Sequence, residues 1–361
     1  MSKKGIMICG HGSRDKAAET EFGKVALALR ERFPETPVEY GFLEYSAPNI
    51  HMGLDKLVAE GCDEIIAVPG MLFAATHAKN DIPSVLTTFA EKHPGLTVYY
   101  GRELGLHTSM IAAFEGRIYE ALGYGEDNRP AELYDTLLVV VGRGTSDTEA
   151  NAEVAKLTRI VNENMGFGWA STVYSGVTYP SVGVGLEQVL KLGFKRVVVA
   201  PYFLFTGRLI KRINAYIDRV AAAHPDVEII TAGYLNDHAH VIDTFVDRIT
   251  EAGGEQVGDE SLMDSFQRRL AAGEVDVHHH HAEYRDHDHD HDHDHDHDHD
   301  HQHDHGHSHG VYRHIGHPLG PRTMIGEGVC CCFMRQFPDD ILEEERARIE
   351  AAPDETPIAH R

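Results

Sequence analysis

Apolar positions along the chain fall into short runs separated by longer amphipathic stretches. Gly5–Cys9, Val38–Leu43, Glu64–Val68 and Thr97–Tyr100 predict strands, and Glu19–Phe33, Ile50–Glu60, Ile82–Lys92 and Ser109–Leu122 predict helices. Continuously apolar runs of this length, flanked by turns and helical segments, belong to parallel strands covered on both faces. A second series follows at Thr136–Val141, Ser171–Val177, Arg196–Ala200 and Glu228–Thr231. The expected fold is α/β, with each series a small doubly wound parallel sheet.

The two series are copies. Gly5–Cys9 runs into Gly10-His11-Gly12-Ser13-Arg14-Asp15, and 132 residues later Leu137–Val141 runs into Gly142-Arg143-Gly144-Thr145-Ser146-Asp147. The same displacement carries Ala67-Val68-Pro69 onto Val199-Ala200-Pro201, Gly61 onto Gly193, and Leu54–Glu60 onto Leu186–Leu192. Over Val38–Tyr45 a displacement of 134 sets Glu44-Tyr45 on Thr178-Tyr179. A displacement shared by separate features marks an internal duplication. The expected lobes are 1–130, with a metal site, and 131–252, with a substrate rim. A linker over 253–277, with one short helix near Ser261–Leu270, a His/Asp tract over 278–309 and a Cys-containing tail over 310–361 follow. Within that tail Asp339–Ala351 reads as a charged helix.

In doubly wound sheets ligands bind beyond the carboxyl ends of the strands. His11, Glu44 and His77 stand there, one per βα unit and 33 residues apart in each step. Neighbouring parallel strands lie about 4.8 Å apart, so three such side chains can converge on one ion. Singly, each equally suits a helix cap or a satisfied polar group. Two imidazoles and a carboxylate together suit a borderline divalent ion such as Co²⁺, Ni²⁺, Fe²⁺ or Zn²⁺. The aligned second-lobe residues are Arg143, Thr178 and Leu209, so only the first lobe carries the set. Arg14, Lys79, Arg143, Arg208, Lys211 and Arg212 fall at or beyond strand tips. They read either as ordinary helix-surface charge or as a rim for an anionic substrate, arginine holding carboxylates bidentately.

Gly10-His11-Gly12-Ser13-Arg14, Glu44, Pro69-Gly70-Met71-Leu72 and His77 resemble the class II, ATP-independent chelatases of tetrapyrrole synthesis, in particular their long sirohydrochlorin cobaltochelatase branch. The resemblance covers about residues 1–250. It implies two flavodoxin-like lobes facing a cleft and insertion of Co²⁺ into sirohydrochlorin on the anaerobic-type route to cobalamin. It also implies that His11 and His77 handle metal and protons, with Glu44 as their acidic partner. Such a planar, carboxylate-edged ring suits a basic rim with apolar walls from Met71, Leu72, Phe73, Phe203 and Phe205. The same reaction with Fe²⁺ or Ni²⁺, and a cobalt or nickel metallochaperone or store, are the alternative readings.

Sixteen of the 27 histidines lie between His278 and His309, and Asp and His alternate strictly from Asp286 to His301. His287, His289, His291, His293, His295, His297, His299 and His301 read as a metal reservoir of low selectivity, against a plain solvated spacer or a tag. The resemblance to the long forms also implies a candidate C-terminal iron–sulfur centre on a Cys-x-x-Cys type motif. This chain has instead Cys330-Cys331-Cys332, open to an iron–sulfur cluster lacking one ligand or to a redox or soft-metal patch.

The net charge of −24 argues against nucleic acid or anionic membrane as partner. No apolar run reaches the roughly 20 residues of a membrane span, and no Walker-type loop implies a nucleotide. Five cysteines form no disulfide framework, and a cytoplasmic protein is expected, with a homodimer as the candidate assembly.

Overall fold

The computed structural model describes residues 2–254, 262–275 and 277. The reservoir histidines His287 to His301, the cysteines Cys330, Cys331 and Cys332, and the predicted helix at Asp339–Ala351 lie outside the described residues.

The first series forms β1 (Lys4–Gly10), α1 (Lys16–Arg32), β2 (Val38–Phe42), α2 (Ile50–Ala59), β3 (Glu64–Pro69), α3 (Ile82–Lys92), β4 (Thr97–Tyr100) and α4 (Thr108–Ala121). The second forms β5 (Thr136–Gly142), α5 (Thr148–Met165), β6 (Trp169–Tyr174), α6 (Val182–Leu190), β7 (Arg196–Pro201), α7 (Arg208–Ala223), β8 (Glu228–Thr231) and α8 (Ala239–Gly253). Each sheet is parallel, in the orders β2-β1-β3-β4 and β6-β5-β7-β8. Past their first residues, Lys4, Glu64, Thr136 and Arg196, the central strands are apolar because helices cover both faces, and β5 is buried along its whole length. The edge strands β4 and β8 stay half open, so their sequence signal is weaker.

Pairing corrects one sequence alignment. Ile8 pairs with Tyr40 in β2, and Val140 with Thr172 in β6, so the displacement over these strands is 132, not 134. The expected strand Ser171–Val177 begins two residues earlier, at Trp169. Glu44 therefore corresponds to Gly176, while Thr178 corresponds to Ser46. Both hydroxyls make the same contact, Ser46 Oγ donating to Ser13 O and Thr178 Oγ1 to Thr145 O, each at 2.9 Å. An edge strand with mixed polarity cannot declare its own register; the central strand beside it does.

The lobes share one core. Ile8 and Val68 of the first sheet, Phe114 of α4, Val140 of β5 and Phe245 of α8 belong to a single apolar cluster. The last helix of the second series covers the first sheet. Buried Arg248 of α8 donates to Glu103 O at 2.8 Å and Leu104 O at 3.0 Å. In turn α4 reaches the second lobe, with Phe114 edge-on to Tyr202 at 5.1 Å and Arg117 donating to Leu235 O at 3.1 Å. Burying a side chain such as Phe245 contributes about 2–3 kcal/mol, so the exchanged helices hold the lobes together and their strand tips face one another.

Beyond the duplicated unit, α9 (Leu262–Ala271) docks on the first lobe through the fully buried Phe266.

Candidate metal site

At the end of β1 the chain turns through Gly12, whose φ is +96°. A Cβ there would lie 1.7 Å from Glu44 O, so glycine is required for the two loops to meet. Glu44 N–H donates to His11 O at 3.0 Å, fixing the loops of His11 and Glu44 side by side. The next residue, Tyr45, has φ +63°. This is a costly left-handed conformation for an aromatic residue, of the kind held at functional sites.

His77 opens a five-residue π-turn, His77–Asp81, in which Ile82 N–H bonds back to His77 O. The displacement between lobes is 132 up to Leu72 and Leu204, whose carbonyls accept from Gly105 and Asn236. It is 131 from His93 and His224, which end α3 and α7. The first lobe thus holds one additional residue in the stretch containing the π-turn. Such turns absorb an inserted residue and recur at functional sites.

His11, Glu44 and His77 converge, with one potential ligand atom from each lying within 4.8 Å of the other two. They are the one such group of His, Cys, Asp and Glu among the described residues. The His11 and His77 rings meet edge-on at 4.4 Å, and His11 Nε2 is 3.5 Å from Glu44 Oε1. His11 Nδ1 lies 3.1 Å from Gly12 O, which can only accept, so Nδ1 carries the proton and Nε2 the lone pair. That Nε2 is buried without a hydrogen-bond partner. His77 Nδ1 lies 2.5 Å from Asp81 Oδ2, which likewise places the proton on Nδ1 and the lone pair on Nε2. Asp81, absent from the sequence reading, is buried; its only sequence signal is the i,i+4 spacing from His77.

Burial, followed by the charges of Arg143 and His77, drives the His11 pKa well below its ordinary value, so the imidazole is neutral at pH 7. Arg143 stays solvent-open in a cleft crowded by protein, and it remains cationic although desolvation lowers its pKa.

The proposed rim cations divide. Arg14 lies over the Tyr45 ring at 4.8 Å, and both are exposed. Arg208 is exposed at the first turn of α7 and Arg212 half-buried one turn on. Lys79, half-buried, and Lys211, exposed, each pair with a carboxylate of the other lobe. Lys79 Nζ is 2.7 Å from Asp147 and 2.8 Å from Glu149, and Lys211 is 3.1 Å from Asp15. Burial works against the Lys79 charge, but the two carboxylates outweigh it and hold its pKa above the ordinary value. The wall residues Met71, Leu72, Phe73, Phe203 and Phe205 are all half-buried.

Two doubly wound lobes meeting at their strand tips, with a His–Glu–His set in one alone, define a two-lobe chelatase fold. The chain belongs to the CbiX family, whose model matches residues 5–121 and 137–252. It is 39% identical over 278 residues to a sirohydrochlorin cobaltochelatase of Priestia megaterium, covering 76% of this chain and 88% of that one. It is similar to the structure of SirB from Bacillus subtilis with Fe³⁺, at TM-score 0.60 and 27% identity, over 69% of this chain and 95% of that one. The sirohydrochlorin chelatase SirB of Bacillus subtilis subspecies spizizenii in complex with cobalt matches over the same shares at TM-score 0.57 and 26% identity.

Proposed function

We propose that the protein inserts Co²⁺ into sirohydrochlorin without ATP, taking the metal on His11, Glu44 and His77. The observation that carries this is the donor set itself: two imidazole lone pairs and a carboxylate, one lone pair buried and unpartnered. Identity to a cobaltochelatase over most of both chains supports the reaction and the metal. The donors alone do not choose cobalt, because such sites follow the general order of divalent affinities.

Insertion exchanges two pyrrole N–H protons for one divalent ion. His11 and His77 serve first as ligands and, as the metal passes to the ring, each accepts one of the two displaced protons on its Nε2. Asp81 holds His77 in the coordinating tautomer. Arg14, Arg143, Arg208 and Arg212 bind the ring carboxylates, while Lys79 and Lys211 keep the lobes in register. Tyr45 presents an aromatic face to the macrocycle, steadied by Arg14.

The test is a change in the sirohydrochlorin absorption spectrum on adding Co²⁺ to the purified protein without nucleotide. His11→Ala and His77→Ala should each remove most of the rate while retaining the fold. Wild-type rates in both variants would overturn the assignment. Competition among Co²⁺, Fe²⁺ and Ni²⁺ under anaerobic, metal-buffered conditions decides the metal.

A further inference from the structure

Besides the ion pairs of Lys79 with Asp147 and Glu149, the π-turn that carries His77 is held from outside by two further side chains. Tyr100 Oη donates to Ala78 O at 3.0 Å from β4, within the same lobe. Arg269 reaches in from α9, with Nη2 donating to Lys79 O at 2.7 Å and Nη1 to Asn80 Oδ1 at 2.8 Å. The guanidinium fork thus grips two consecutive residues inside the five-residue turn between His77 and its partner Asp81. Phe266, one turn earlier on α9, is fully buried, and Leu262 and Met263 pack on the same core face as α3. The helix is therefore a braced lever with Arg269 at its working end.

Two further observations point to the site as the purpose of this contact. The second lobe has neither an inserted residue at this place nor a histidine at Leu209, and among the described residues no helix follows α8 to serve it as α9 serves the first. The family model ends at residue 252, so Arg269 lies outside the pattern that defines the chelatase lobes. In this π-turn, bonded i to i+5, the carbonyls of Ala78 and Lys79 accept from Tyr100 and Arg269. A planar, five-donor guanidinium suits two acceptors at fixed spacing, where a lysine ammonium suits one.

We infer that Arg269 is a positioning residue for metal capture: by clamping Lys79 O and Asn80 it fixes the π-turn, and so sets His77 against His11 and Glu44. This rests on the proposed role of His77. Residues that orient a ligand from behind are typically worth about 10–100-fold in metal affinity or activity. Arg269 acts one step further back, so the lower end is expected.

The experiment measures initial rates in the full-length protein with free Co²⁺ held by a metal buffer, so that the His/Asp tract does not alter the free concentration. Arg269→Ala should raise KM for Co²⁺ about tenfold while KM for sirohydrochlorin stays within twofold. Arg269→Lys, which keeps one of the two bonds, should fall between. Thermal unfolding of each variant is recorded alongside. A helix that only stabilises the lobe would lower Tm and scale both substrates together. That result, or an unchanged KM for Co²⁺, overturns the inference. If His77→Ala itself keeps the wild-type rate, it is the functional reading that fails.

Discussion

His11 and Arg143 occupy the same position in two copies of one unit, each following a central strand and preceding a left-handed glycine, Gly12 or Gly144. They come close enough for the arginine's charge to act on the imidazole. Duplication thus placed a candidate ligand and a cation at one cleft, and the charge of the second copy acts on the first.

Replacing that cation should be visible in the metal-free protein. With Arg143→Gln, burial still holds His11 low, but the repulsive charge is gone, so its pKa rises toward the ordinary value. The sign follows: the variant takes up its proton at higher pH than the wild type. Imidazole NMR titration checks this, and an unmoved His11 resonance would show that Arg143 does not reach it.

Gly12 and Gly61 separate conformational strain from steric conflict. Both have positive φ, +96° and +84°, but nothing lies within 4 Å of a Cβ at Gly61. Gly61→Ala should cost only the left-handed penalty, about 1–2 kcal/mol. Gly12→Ala should cost more and displace Glu44, abolishing chelation as well as lowering the urea midpoint.

His238 caps α8 by accepting from His240 N–H at 3.2 Å. Burial, then Arg117 and His240, lower its pKa below 6.5. The unfolded chain then binds a proton that the folded protein refuses, so this contribution is complete above pH 6.5 and lost as pH falls toward the folded value. His238→Asn keeps a capping side chain without titrating. Urea unfolding of the variant should therefore weaken less steeply below pH 6.5 than that of the wild type.

Deleting residues 278–309 should leave turnover unchanged at saturating Co²⁺, because the proposed ligands all lie in the first lobe. At limiting Co²⁺ the shortened protein should slow, since tethered imidazoles raise the local metal concentration. Equal rates under limiting metal would make the segment a spacer.

Much of this was legible in the chain itself. Apolar runs and a repeated Gly-x-Gly turn reveal the two parallel sheets, because strands buried on both faces carry polar residues only at their first positions, Lys4 and Thr136. One ligand-type residue per βα unit reveals the triad, because parallel strands align their tips. Tertiary structure decided what depends on partners distant in sequence. The register of β6 came from β5, since an edge strand open on one side has no alternation strong enough to place it. Lys79 and Lys211 read as free cations until the second lobe set Asp147 beside one and the folded cleft set Asp15 beside the other. Asp81 behind His77, the covering of one sheet by the other half's helix, and the grip of Arg269 on the π-turn are likewise contacts across the folded molecule. Local pattern encodes which face a residue presents; only closure of the chain determines what that face meets.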